Sequence, residues 1–337
     1  QLLQMVVPRL EELQKEGQSG QAKIQMYTRI ASVPLALLQS YGLIQLLRQS
    51  PLQILPELSS FEYASIMLTT TAGTVFLMWL GELITEKRLG NGMSMLIFAG
   101  IIAALPQAVQ GAFLNYTPSL LYSYIGFLLI ALITIVAVVF MQEGQRQIPV
   151  HYAKRLIGTR SFGGTQSYLP LKVNIAGVIP IIFAISVVLF PATIAQFFLA
   201  SGGTIGAIAN KVVTLLNPQT VSYALIYFFL VFGFTYFYTA VIFQPNKMAE
   251  NLQRQGGYIP GIRPGKETEG YLGKVMTRLV FTGALFLAVI ALLPFLVQTA
   301  TGSQTLVIGG TSLLIVVSVA IDITKQLQAQ LSMHEYD

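Results

Sequence analysis

Two stretches of this chain concentrate cations among residues that fix turns. GQRQIPVHYAKRLIGTRSFGGTQSYLPLKVN holds Arg146, Lys154, Arg155, Arg160 and Lys172, and GGYIPGIRPGKETEGYLGKVMTR holds Arg263, Lys266, Lys274 and Arg278. Glycine and proline at these spacings set turns, so the cations sit on ordered, projecting segments. Fixed positive charge interleaved with aromatic rings suits docking of a large anionic partner such as RNA. The same composition also fits two solvated loops.

Reaction chemistry is sparse elsewhere. The chain has no cysteine, which excludes disulfides, thiolate metal sites and cysteine nucleophiles. Its two histidines, His151 and His334, lie in polar stretches, and its only aspartates are Asp322 and Asp337. No GxxxxGK[ST] stretch is present to cradle a nucleotide phosphate. No nucleophile and base pair can be assembled, so an enzyme is not expected, and neither is a metal or cofactor. Any work the protein supports is powered from outside the chain.

The elements that must position these cations are membrane spans. The 337 residues are 54% hydrophobic and 10% charged, with a mean hydropathy of +0.65. Soluble domains carry about 25% charged residues, and disorder needs low hydrophobicity with high charge. A polytopic membrane protein remains. Eight full apolar segments are expected, at about 30–47, 63–81, 93–114, 121–141, 174–200, 220–243, 279–301 and 303–323. Each is long enough to cross roughly 30 Å of hydrocarbon. The opening QLLQMVVPRLEEL lacks a basic n-region and reads as the tail of one more span whose beginning precedes this sequence.

Charge sets the orientation. Of the 20 Lys and Arg residues, all but Arg48 and Lys211 fall in connections on one side, as do all acids but Glu57 and Glu62. The positive-inside rule makes that side cytoplasmic. Topology therefore accounts for most of the net charge of +6. Two connections on that side, about 142–173 and 244–278, exceed what topology needs, and connections that long are usually functional or disordered.

No Asp or Glu sits at the centre of a span, which weighs against an ion-coupled small-molecule transporter, the alternative reading. Gln4, Gln39 and Asn174 are the polar residues that stand out among apolar neighbours. Each must face protein or water. Ordinary helix–helix hydrogen bonding, worth about 0.6 kcal/mol on average, is one account of them.

At the level of motifs, the chain resembles the SecY family, the large subunits of the bacterial and chloroplast protein-conducting channel. The stretches that carry the resemblance are PRLEELQKEGQSGQAKIQMYTR, FLMWLGELITEKRLGNGMSMLIFAGI, GQRQIPVHYAKR, LPLKVNIAGVIPIIFA, LFPATIA, FQPNKMAENLQRQGGYIPGIRPGKET and GGTSLLIVVSVAID. They run in order along essentially the whole chain. The resemblance implies an all-α polytopic membrane protein, a SecY-type channel of two inverted helical halves. Here that means eight full membrane helices plus the end of one more, with the first helix and the plug segment absent. The division implied is 1–143 for the remainder of the N-terminal half, 144–173 for a basic cytoplasmic loop, and 174–337 for the C-terminal half, which includes the second basic loop at 244–278.

The resemblance also implies roles for residues. Ile97, Ile182 and Ile315 match an aliphatic pore ring. Ile97 lies 9 residues beyond Arg88, Ile182 lies 10 beyond Lys172, and Ile315 lies 10 before Lys325, so all three fall about 14–15 Å from the inner charge layer, near the midplane. Depth alone does not separate them from midplane residues that face core or lipid; the motif match does. A narrow apolar constriction blocks ions by dewetting yet imposes no specific hydrogen bonds on a passing chain. Gln4, Gln39, Asn174 and Phe190 match a lateral gate opening to lipid. Lys154, Arg155, Arg160, Arg263 and Lys266 match docking sites for the SecA motor and the ribosome, including its RNA. The small subunits SecE and SecG, signal sequences, nascent membrane proteins and membrane lipids are the other partners implied. The implied location is the bacterial plasma membrane, or the thylakoid, with the long basic loops cytoplasmic. GQAKIQMYTR and GQRQIPV each carry fewer basic residues than the family pattern, which implies weaker ribosome affinity or contacts carried elsewhere.

Overall fold

The computed structural model describes residues 8–16, 18–48, 58–87, 90–114, 117–118, 121–152, 155–157, 160–162, 166–199, 203–301 and 310–334. The helices are α1 (Pro8–Lys15), α2 (Gln18–Arg48), α3 (Ser60–Glu86), α4 (Gly92–Leu114), α5 (Leu121–Glu143), α6 (Ile179–Phe197), α7 (Gly203–Leu215), α8 (Val221–Ile242), α9 (Pro245–Arg254), α10 (Lys266–Thr301) and α11 (Gly310–His334). Short strands lie between them: β1 (Gln145–Tyr152), β2 (Arg155–Ile157), β3 (Arg160–Phe162), β4 (Gln166–Lys172) and β5 (Gly257–Tyr258).

Seven helices among the described residues are long and apolar enough to cross a membrane, against the eight expected. The difference is α2, which contains the segment expected at 30–47. Its 31 residues hold several polar side chains, and these are spent on α3. Arg29 pairs with Glu82, its Nε donating to Glu82 Oε1 at 2.9 Å. Ser32 Oγ donates to the Met78 sulfur at 3.4 Å, Ser40 bonds Thr70, and Arg48 donates to the Tyr63 hydroxyl at 2.8 Å. Each step along α2 is matched within one residue by a step back along α3, the signature of an antiparallel helix pair. Polar atoms satisfied by a neighbouring helix are tolerated at membrane depth, so these side chains lower the mean hydropathy of α2 while keeping partners on α3.

Two compact units are distinguished. One comprises Gln1–Leu96 and Phe190–Thr214, the other Ile97–Leu189 and Leu215–Asp337. In the first, α2 packs on α1 and α3. A capping box starts α3: Glu62 N donates to Ser59 Oγ at 3.3 Å, and Ser59 N donates to Glu62 Oε2 at 2.7 Å. Two donors that the helix cannot satisfy internally are thereby paired.

In the second unit α10 is the central element, packed on α8, α9 and α11. Leu272, Ala284, Leu287 and Ala288 on α10 are fully buried. At about 1.5 Å per residue this helix is about 54 Å long, well beyond one hydrocarbon thickness, and its first turns lie in the second basic connection.

Both long connections contain regular structure where no element was assigned from the sequence. The segment 144–173 forms β1 and β4, antiparallel from Gln145↔Lys172 to His151↔Gln166, with the small β2–β3 ribbon between them. The segment 244–278 holds α9, β5 and the start of α10. The span expected over 174–200 begins as a helix at Ile179, since residues 173–178 form bends and a turn. The helix α7, 13 residues long and too short to span, falls between the spans expected at 174–200 and 220–243.

Candidate functional site

The two basic connections meet in one sheet. Its order is β4–β1–β5, with His151↔Tyr258 and Tyr152↔Gly257 joining the first connection to the second. Alternation along β1 sends Ile148 and Val150 inward. They pack with Leu171, Leu252, Ile259, Leu272, Val275 and Met276 in one apolar cluster. What reads from the sequence as two separate prongs is therefore one body with a shared core, built on the inner end of α10.

Arg263 rides on that body. The backbone of its turn passes through φ 79° at Gly261 and φ 97° at Gly265, values that residues with a Cβ rarely adopt. The first turn of α10 fixes it further: Thr268 Oγ1 donates to the Arg263 carbonyl at 2.9 Å, and Arg263 N donates to Glu267 Oε2 at 3.4 Å. Ile259 is buried and Ile262 half-buried beneath the turn. The guanidinium of Arg263 is exposed, as is Lys266 at the start of α10. The result is a fixed backbone carrying an exposed cation. Arg155 and Arg160 sit in the β2–β3 ribbon, where Arg155 pairs with Phe162 and Ile157 with Arg160. Lys154 lies outside the described residues.

The base of this body is tied to the membrane helices. Val173 N donates to the Gly144 carbonyl at 2.9 Å. Asn174 is buried, and its Nδ2 donates to Gln142 Oε1 at 3.0 Å and to the Gly177 carbonyl at 3.3 Å. Gln142 closes α5, so this contact fixes where the chain enters α6. The Lys325 ammonium on α11 pairs with Glu143 at 2.7 Å. Sequence reasoning singled out Asn174 but not Gln142, whose position at a helix end looks unremarkable.

Of the other gate residues named from the sequence, Gln4 lies outside the described residues, Gln39 is exposed on α2, and Phe190 is 49% exposed near the end of α6. The residues that join α2 to the end of α6 are different ones. Tyr41 stacks on Phe197, ring centroids 4.7 Å apart and planes 9° from parallel. One residue on, a Cβ at Gly42 would lie 2.5 Å from Thr193 Cγ2, so only glycine permits this approach without a shift. Aromatic and small residues inside apolar runs carry no signal in a hydropathy reading, which is why this contact was missed.

Ile97, Ile182 and Ile315 all belong to the second unit. Ile315 is buried, while Ile97 and Ile182 are half-buried. The neighbouring Ile181, fully buried, faces the packed side of α6.

Seven long apolar helices among the described residues define a multi-pass membrane protein. The family model for SecY matches residues 1–324. The chain is 45% identical over 352 residues to the protein translocase subunit SecY of Corynebacterium glutamicum, covering all of this chain and 79% of that protein. It is 44% identical over 349 residues to the SecY subunits of Streptomyces galbus and Mycobacterium tuberculosis, again across all of this chain, and across 79% and 78% of those proteins. Among solved structures, one described as a protein conducting channel superposes with a TM-score of 0.62 at 19% identity. Another, from work on how the SecY plug domain stabilises the closed channel, superposes with 0.61 at 19% identity. Each covers 92% of this chain and 74% of the other. The chain belongs to the SecY family.

Proposed function

We propose that this chain is the pore-forming subunit of a protein-conducting channel, passing unfolded polypeptides across the membrane and releasing apolar segments sideways into lipid. The observation that carries this reading is the SecY match over residues 1–324. The coupled-transporter alternative is not favoured, since the relatives are protein translocase subunits.

The proposed constriction is Ile97, Ile182 and Ile315. A hydrophobic neck of this kind stays dry to ions and yields around a moving chain. The two inverted halves, 1–143 and 174–337, part along a lateral gate to which Gln4, Gln39, Asn174 and Phe190 contribute. A segment in the channel then partitions by its own hydrophobicity, from about −0.6 kcal/mol for a Leu-like residue to about +3.5 for a charge at the helix centre. Signal sequences act by shifting the closed and open populations.

Energy comes from outside. Arg263 and Lys266, with Lys154, Arg155 and Arg160, form the proposed contact for SecA or the ribosome. The exposed cation on a pinned turn supports this role for Arg263. SecE and SecG are the small subunits proposed to complete the complex. The basic body faces the cytoplasm of a bacterial plasma membrane, or the equivalent side of a thylakoid. The test is translocation of a secretory precursor into vesicles holding the full-length protein with its partners. Motor-dependent protection of the precursor supports the reading. Solute uptake without a motor, and no precursor protection, refutes it.

A further inference from the structure

A second apolar feature lies on the side of the protein poor in Lys and Arg, and of the residues that line it the channel reading uses only Phe190. A cavity of about 410 Å³ opens between the end of α6 and the helix α7, within the range of roughly 300–1,000 Å³ typical of ligand sites. Phe190, Ile194 and Phe198 line one wall, and Ile205, Ile208 and Val212 line the other. The α7 residues recur at helical spacing, so one face of that helix is apolar. Ile208 is nevertheless 64% exposed and Ile205 57%. A short helix with a bare apolar stripe at the end of a membrane span has the form of an interfacial helix.

Charge selects the occupant. Only two cations, Arg48 and Lys211, fall on this side. Arg48 is already engaged, donating to the Tyr63 hydroxyl and lying 5.7 Å from the centre of that ring. Lys211 is exposed, makes no ion pair among the described residues, and immediately precedes the lining residue Val212. An apolar slot whose helix α7 carries a single exposed ammonium, one residue from the lining, is complementary to a molecule with a hydrocarbon chain and an anionic head.

We propose that this slot binds one anionic phospholipid, an acyl chain lying between α6 and α7 and the phosphate paired with Lys211. The inference requires only that the protein spans a membrane, not that it conducts polypeptides. The test places a reporter in the slot. In the full-length protein with its single tryptophan replaced (Trp79→Phe), Ile208→Trp is reconstituted into nanodiscs with brominated phosphatidylglycerol or brominated phosphatidylcholine. Quenching is expected to report about 5-fold tighter binding of the anionic lipid, the equivalent of ~1 kcal/mol for one cation near an anionic headgroup. Adding Lys211→Gln is expected to bring the ratio to about 1. Ile205→Trp serves as a second reporter should the first substitution perturb the slot. Equal quenching by both lipids, or a preference that survives Lys211→Gln, overturns the proposal. A reporter that neither lipid quenches, but that an apolar peptide protects, assigns the slot to a peptide and overturns it as well.

Discussion

The rings of Tyr41 and Phe197 lie flat against one another, joining α2 to the end of α6 beside the close approach of Gly42 to Thr193. Stacked aromatic pairs contribute about 0.5–1.5 kcal/mol beyond the area they bury. A contact of that size would bias the proposed lateral gate without locking it.

Breaking it has a directional consequence. Tyr41→Ala or Phe197→Ala is expected to favour the open arrangement and raise export of precursors with weak signal sequences several-fold. Strong signals, already able to open the gate, are expected to change little. The two single changes and the double form a cycle whose coupling is expected at about 0.5–1.5 kcal/mol. Additive effects on weak-signal export would show that the stack plays no part in gating. Gly42→Val, which drives a side chain into Thr193, is expected to act in the same direction as Tyr41→Ala.

Asn174 and Gln142 form a buried hydrogen bond, so replacing one member strands the other. Asn174→Leu is expected to cost about 1–3 kcal/mol of stability, the penalty for an unpaired buried polar group. The double change with Gln142→Leu is expected to recover part of that loss. Denaturation of the purified protein in detergent reads this directly. If the double variant is no more stable than Asn174→Leu alone, the bond is not what holds the entry to α6. The gate role proposed for Asn174 has a separate readout, since it predicts altered tolerance of weak signals in variants matched for stability.

The exposed guanidinium of Arg263 is expected to act through contact alone. Arg263→Glu should reduce motor-driven translocation at least 10-fold, while membrane insertion and thermal stability stay normal because the turn is held through the Arg263 backbone by the Glu267 and Thr268 side chains and by Ile259 and Ile262. Unchanged export in a reconstituted assay would remove the docking assignment. A matching fall in stability would make the residue structural.

Much of this architecture is legible in the sequence. Apolar runs of about 20 residues announce helices because lipid forces every backbone group to pair within its own segment, and the Lys and Arg bias gives the expected sidedness. Pairwise contacts are less legible. The polar side chains of α2 lower its hydropathy, and nothing in one helix says that Glu82, Thr70 and Tyr63 wait on the next. The sheet of the basic body was hidden for another reason. From β1 only Ile148 and Val150 are fully buried in its core, with Tyr152 packed against it, and β5 is two residues long and about a hundred residues away in sequence. The ring isoleucines stand out only by motif, because midplane aliphatic residues look alike in any reading of composition.

At the centre of the proposed function is a constriction closed by Ile97, Ile182 and Ile315. Conductance of the full-length complex in planar bilayers, with all three replaced by glycine, tests it most directly. The account predicts a tight wild-type membrane and a steady ion leak in the triple variant, with each single change intermediate. Membranes as tight as wild type, in a variant verified as folded and inserted, would contradict it.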